Sequence, residues 1–184
     1  MISDYVCSKS LAHAFASIDN GCALMFHGVD QKGLEDPYIQ LLQQVNSKNL
    51  FLSLNPVPFE QVDQIYASST IGLAFYANMG DNFTKIGMAS GKLAFYLKHG
   101  KPVLVSNLPS LSQLVEKYKF GIVINEPSNA QEIKLAIDTI LGSYNTYSNN
   151  AKLCFKAEFD FETKIKPILS FMDSLQTEPG FLKV

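Results

Sequence analysis

From Cys22 onward the chain alternates short apolar runs with longer stretches of helical period, and this alternation restricts it to a parallel sheet covered by helices. Five strands are expected, at Ala23 to His27, Leu50 to Leu54, Ile71 to Tyr76, Pro102 to Ser106 and Gly121 to Asn125. Helices should fill the intervals near Pro37 to Val45, Phe59 to Ala67, Lys92 to Lys98, Leu111 to Tyr118 and Ala130 to Leu141. In the last of these Ile133, Ala136, Ile137 and Ile140 recur at three and four residues, which gives one apolar stripe for the sheet. Tyr5 to Cys7 reads as a further short strand and Ser10 to Ile18 as a helix. The expected fold is α/β, a Rossmann-like open parallel sheet of about five or six strands with helices on both faces.

Ligands of open α/β sheets lie beyond the carboxyl ends of the strands, so the connections there carry the functional information. The longest, Ala77 to Ala89, follows the third strand directly and reads as a structureless loop. Next comes MASGKLAFYLKHGKPVLVSN, Met88 to Asn107, where a helix start meets a buried strand. Ser90 can cap that helix, and Gly91 lets backbone approach a ligand. Lys92 puts a cation in the first turn, where the helix dipole disfavours it. Either Lys92 points into solvent or a bound anion removes the conflict.

Composition bounds the alternatives. At 184 residues, 47% of them hydrophobic, the chain has material for one substantial core and not for two large ones. A net charge of -2 with scattered lysines and no basic run argues against nucleic acid as a partner. All fifteen cationic residues are lysine, so phosphate would have to be held by Lys, hydroxyls or backbone N–H groups rather than a guanidinium fork. Cys7, Cys22 and Cys154 are odd in number and far apart, which suits free thiols in a reducing, cytoplasmic compartment. No apolar run approaches the ~20 residues that a transmembrane helix needs.

Known motifs fail at identifiable places. Gly87 to Leu93 is too short for a P-loop and ends in Leu93 where Ser or Thr should bind magnesium. HGVDQKG, with Gly28 and Gly33, lacks the spacing of a dinucleotide fingerprint. A receiver-type phosphoacceptor is missing, since the third strand ends in Tyr76 and Ala77. His13, His27 and His99 hold no metal-ligand spacing with carboxylates or cysteines, so no metal is expected. His27, at the end of the first strand beside Gly28, is placed either to reach a ligand or simply to bond at the rim. Lys32 lies on the same rim, and Asp81, Asn82 and Thr84 offer polar groups from the long loop that can meet sugar or phosphate.

Three stretches resemble the C-terminal, donor-binding domain of GT-B glycosyltransferases of the group 1 type, which build lipopolysaccharide, capsule and other surface glycans. They are NPVPFEQVDQIYASSTIGLAFY (Asn55 to Tyr76), SGKLAFYLKHGKPVLVSN (Ser90 to Asn107) and LVEKYKFGIVINEPSNAQEIKLAIDTIL (Leu114 to Leu141). The likeness runs from about Cys22 to Leu141, and the second stretch is the most specific. It implies a nucleotide-diphosphate sugar as donor substrate, with no metal or other cofactor. Ser90, Gly91 and Lys92 would face the diphosphate. Asn78 to Thr84 would lie near the sugar, and Pro56, Val57 and Pro58 would border the base; His27, Gly28 and Lys32, from their place on the rim and not from the resemblance, are further candidates for the sugar or nucleotide.

Two departures from that family stand out. Many relatives carry a glutamate pair where this chain has Gly87 and Phe95. The chain also lacks the N-terminal domain that binds acceptor, and DYVCSKSLAHAF resembles the last strand and helix of that half. The expected organisation is a linker or remnant at 1–20, the nucleotide-sugar domain at 21–142, C-terminal helices at 143–175 and a tail at 176–184. The implied activity is transfer of a sugar to a surface-polysaccharide or lipopolysaccharide-type acceptor, with little transfer by this chain alone. Its partners would be the nucleotide sugar and the missing acceptor domain, with any membrane association peripheral and through the full-length enzyme. The alternative is a degenerate Rossmann-like module that scaffolds a protein assembly.

Overall fold

The computed structural model describes residues 2–19, 21–28 and 33–177. A 3-10 turn at Asp4–Val6 leads into α1 (Ser8–Ala16), β1 (Leu24–His27) and α2 (Pro37–Gln43). Then come β2 (Leu50–Ser53), α3 (Val62–Ser68), β3 (Gly72–Ala74), and the single turns α4 (Asp81–Thr84) and α5 (Ile86–Ala89). The remaining elements are α6 (Gly91–Lys98), β4 (Val103–Ser106), α7 (Pro109–Tyr118), β5 (Gly121–Ile124), α8 (Ala130–Gly142), α9 (Tyr144–Cys154) and α10 (Phe161–Thr177).

All five expected strands form, but they do not make one sheet of five or six. β1 and β2 pair as a two-stranded parallel sheet, and β3, β4 and β5 make a separate three-stranded parallel sheet in the order β3-β4-β5. The backbone just after β3 is already committed elsewhere. Tyr76 N–H donates to the Ser106 hydroxyl at 2.6 Å, and Ala77 N–H donates to the Tyr5 carbonyl at 2.9 Å. Side chains join the two sheets instead: Leu24 of β1 shares a core cluster with Phe75, Leu104 and Ile124.

Helices cover both faces of the three-stranded sheet, as strand alternation requires. On one face α1 and α8 bring Leu11, Phe15, Ile133 and Ile137 onto Leu104. On the other, α6, α7 and α9 bring Leu93, Leu97, Leu111 and Cys154 onto Val103 and Val105. Residues of α1 thus belong to the same core as the strands, and Ile2 and Ala12 form a further cluster with Ile39 and Leu42 of α2. β4 and β5 approach so closely at Gly121 that any Cβ there would collide with the Val103 carbonyl.

Two local expectations are corrected. Tyr5 to Cys7 is not a strand; it belongs to a 3-10 turn closed by Cys7 in the left-handed region (φ 56°), with Cys7 N–H donating to the Asp4 carbonyl. The segment after β3 is not structureless, because Asp81–Thr84 and Ile86–Ala89 each close a turn. Directly after α8, α9 begins at Tyr144. A π-helical turn at Phe155–Phe159 then redirects the chain into α10. No helix among the described residues is long and apolar enough to cross a membrane.

Candidate functional site

The start of α6 organises the carboxyl rim of the three-stranded sheet. Ser90 is extended (φ -79°, ψ 100°), and its hydroxyl accepts from Leu93 N–H at 3.1 Å, satisfying one of the orphan donors of the first turn. The same oxygen lies 2.5 Å from the Tyr76 hydroxyl, and Ser90 is only 3% exposed. Ser90 therefore fixes the helix start and the Tyr76 ring together.

Lys92 follows in the first turn with its ammonium turned inward. Nζ donates to the Phe75 carbonyl at 3.0 Å and stands 4.3 Å from the centre of the Tyr76 ring. Burial pulls its pKa down to about 8, opposed only by the nearby Cys7. No carboxylate of the described residues forms an ion pair with it. A half-buried cation with one carbonyl and one aromatic face has unused capacity for an anion. Cys7 and Tyr76, which face it, are both held neutral by burial, which raises the thiol and the phenol above their ordinary values.

Lys92 lines a cavity of about 270 Å³ together with Tyr5, Val6, Tyr76 and Phe83. A second, open groove of about 360 Å³ lies against β2, beside Leu42, Asn46 and Phe51. Among the described residues that line it none is ionisable.

The other expected site residues are dispersed. Gly91 is exposed, with open space where its Cβ would be, and Ser90 is buried beneath Tyr76, so Lys92 alone of the three reaches the cavity wall. Asn78, Asp81 and Asn82 are exposed, and Thr84 spends its hydroxyl on the Asp81 carbonyl at 2.7 Å. His27 is half-buried at the end of β1, with Nδ1 2.9 Å from the Ser53 hydroxyl and Nε2 enclosed without a partner. Buried Gly28 donates its N–H to the Ser53 carbonyl, and Pro56 and half-buried Val57 follow β2. This second group belongs to the two-stranded sheet, and none of its members lines the Lys92 cavity. Lys32 lies outside the described residues.

Sequence reasoning missed Tyr5, Val6, Cys7, Tyr76 and Phe83. Phe83 did leave a signal, as the one large apolar residue inside the polar run Asp81 to Lys85. Tyr5 and Val6 left none, since only the fold brings them over β3.

The two departures from the glutamate pair have a structural content. Gly87 is buried, its N–H donates to the Ser110 hydroxyl at 2.9 Å, and an added Cβ would meet the Ser110 carbonyl at 2.9 Å. Phe95 stacks on Tyr66 with ring centres 4.9 Å apart and planes 10° from parallel. Both positions are thus used for packing in this chain. Among the described residues no group of three or more His, Cys, Asp or Glu could hold a metal ion.

No family model matches the sequence, and no curated protein matches it.

Proposed function

We propose that this chain is the donor-binding half of a glycosyltransferase, with a nucleotide-diphosphate sugar as its ligand and no metal or other cofactor. One observation carries the reading: a half-buried lysine in the first turn of α6, whose ammonium pairs with no carboxylate among the described residues, lines a cavity beyond the carboxyl end of β3. The diphosphate would take the ammonium of Lys92 and the first-turn amides of Gly91 and Lys92. As the bond from the sugar C1 to the departing phosphoryl oxygen breaks, negative charge grows on that oxygen, and the ammonium stabilises it. The cavity is small, so it suits the diphosphate and an adjoining ring. The remainder of the donor would extend over the rim towards Asn78 to Asn82, with His27 and Pro56 to Pro58 available to the nucleoside.

The acceptor would be bound by a separate domain. Support comes from α10, whose Phe161, Ile168, Leu169, Phe171 and Met172 are all about half exposed or more, an apolar face of the kind that marks a docking surface. Contact with a surface-polysaccharide or lipopolysaccharide-type acceptor, any peripheral association with a membrane and residence in the cytoplasm belong to the same reading.

A second reading is favoured by Gly87 and Phe95. With both positions packed by Ser110 and Tyr66, the module could have lost its ligand and serve as a scaffold for a protein partner. A thermal-shift screen of uridine, guanosine, cytidine and thymidine diphosphosugars separates the two. A saturable rise in melting temperature with one nucleotide family is expected, and its absence for all four at millimolar concentration favours the scaffold.

A further inference from the structure

We propose that Lys92 is also a nucleophilic amine, which condenses with ring-sized aromatic aldehydes entering the cavity between Tyr5, Tyr76 and Phe83. The proposal is independent of the nucleotide-sugar reading, because it concerns the neutral form of the side chain. The cavity of about 270 Å³ falls just below the usual range for small-molecule sites, which starts near ~300 Å³, so one ring fits and a whole nucleotide sugar does not. Besides Lys92 it is lined by Tyr5, Val6, Tyr76 and Phe83, three aromatic side chains and one aliphatic. The Phe75 carbonyl at 3.0 Å and the Tyr76 ring at 4.3 Å hold that nitrogen at the wall.

The groups facing Lys92 do not keep it protonated. Tyr5 comes from the 3-10 turn, Cys7 from the residue before α1, and Tyr76 from the end of β3. Burial first, and then Asp4 and Glu126, push the Cys7 thiol up. Burial in such surroundings is a recognised way to activate a lysine amine. It brings Lys92 to about 8, where half the side chains are neutral at pH 8, against about one in 250 for an ordinary lysine.

In the reaction the lone pair of neutral Nζ attacks the aldehyde carbon, and the carbonyl oxygen takes up a proton to give a carbinolamine. Loss of the remaining Nζ proton and departure of the hydroxyl as water leave a C=N imine. No oxidant or reductant is consumed.

The test treats the intact chain at pH 8 with pyridoxal or with pyridoxal 5'-phosphate, reduces with borohydride and maps the adducts on tryptic peptides. Among the fifteen lysines, Lys92 is expected to carry at least tenfold more adduct than any other with both reagents, and its yield should rise with a midpoint near pH 8. Lys92→Arg should abolish that adduct while the far-ultraviolet spectrum is retained. Even labelling of surface lysines overturns the proposal. So does labelling of Lys92 by the phosphate-bearing reagent alone, which would mean attraction of an anion and not a free amine. Mapping on the unaltered chain does not depend on whether the variant folds, and it does not depend on any nucleotide binding.

Discussion

Lys92 and Tyr76 hold each other in place: the ammonium sits 4.3 Å from the centre of the Tyr76 ring, while the Tyr76 hydroxyl bonds Ser90, the cap of the helix that carries Lys92. Removing either member disturbs a closed loop of three residues spanning the end of β3 and the start of α6. The cation is therefore placed by the fold and not by a flexible search.

That placement costs stability. A lysine whose pKa in the fold lies below its unfolded value binds fewer protons folded than unfolded, so stability rises with pH across that interval. The cost of burying the charge is complete below about pH 8 and fades as pH rises towards the ordinary lysine value near ~10.4. Lys92→Met is expected to raise stability at pH 7 by about 1 to 3 kcal/mol, with the gain shrinking at pH 10. Thermal denaturation at the two pH values checks this, and a lower melting temperature at pH 7 would mean that the ammonium is better solvated than the geometry indicates.

Anion binding should carry the opposite pH dependence. Only the ammonium form attracts a diphosphate, so affinity should be nearly flat up to pH 7 and decline by roughly tenfold per unit well above the pKa near 8. Binding at pH 8 should take up protons, because the bound anion raises the lysine pKa. Calorimetry in two buffers of different ionisation enthalpy measures that uptake, and no difference between buffers would exclude Lys92 from contact.

Glu158 anchors the beginning of α10. Its carboxylate accepts from Lys117 at 2.8 Å, from the Tyr118 hydroxyl at 2.5 Å and from Lys164 at 3.1 Å. The bonds from Lys117 and Tyr118, more than that from Lys164, hold its pKa at about 2. Because the folded value is depressed, the contribution is present above the unfolded carboxylate range near ~4.3 and is lost as pH falls towards 2. Both lysines are half exposed or more, so Glu158→Gln should cost only about 1 to 2 kcal/mol at pH 7. Chemical denaturation at pH 7 and pH 3 should show the difference narrowing in acid.

Gly121→Ala should be far more damaging. The added methyl would collide with the Val103 carbonyl, a backbone atom in the adjoining strand that cannot swing away. A loss of about 3 kcal/mol or more is expected in urea denaturation. A loss below about 1 kcal/mol would show that β4 and β5 can separate at that point.

The apolar face of α10 should be removable without harm to the core. Ile168→Glu with Met172→Glu replaces two side chains that are each about half exposed, and stability should change by no more than about 0.5 kcal/mol. Urea denaturation of the double variant beside the natural chain measures this. A large loss of stability would show that α10 is packed against the domain.

Each strand was legible because short apolar runs between turn residues have few alternatives, as Val103 to Val105 shows. Their division into two sheets was not. Pairing is decided by partners distant in sequence, such as Gly72 with Val103, and no local pattern encodes them. At the site, Ser90 as a cap and Lys92 as a first-turn cation could be read directly from residue type and spacing. The aromatic walls could not, because Tyr76 and Phe83 look like core residues until the cavity beside them is seen.

The most direct test of the donor-site account is calorimetric titration of the matching nucleoside diphosphate at pH 7 into the natural chain and into Lys92→Met. A charge-assisted contact worth about 1.5 to 3 kcal/mol predicts saturable binding to the first and a Kd raised by roughly tenfold or more in the second. Equal affinity for both chains, with the variant properly folded, would contradict it.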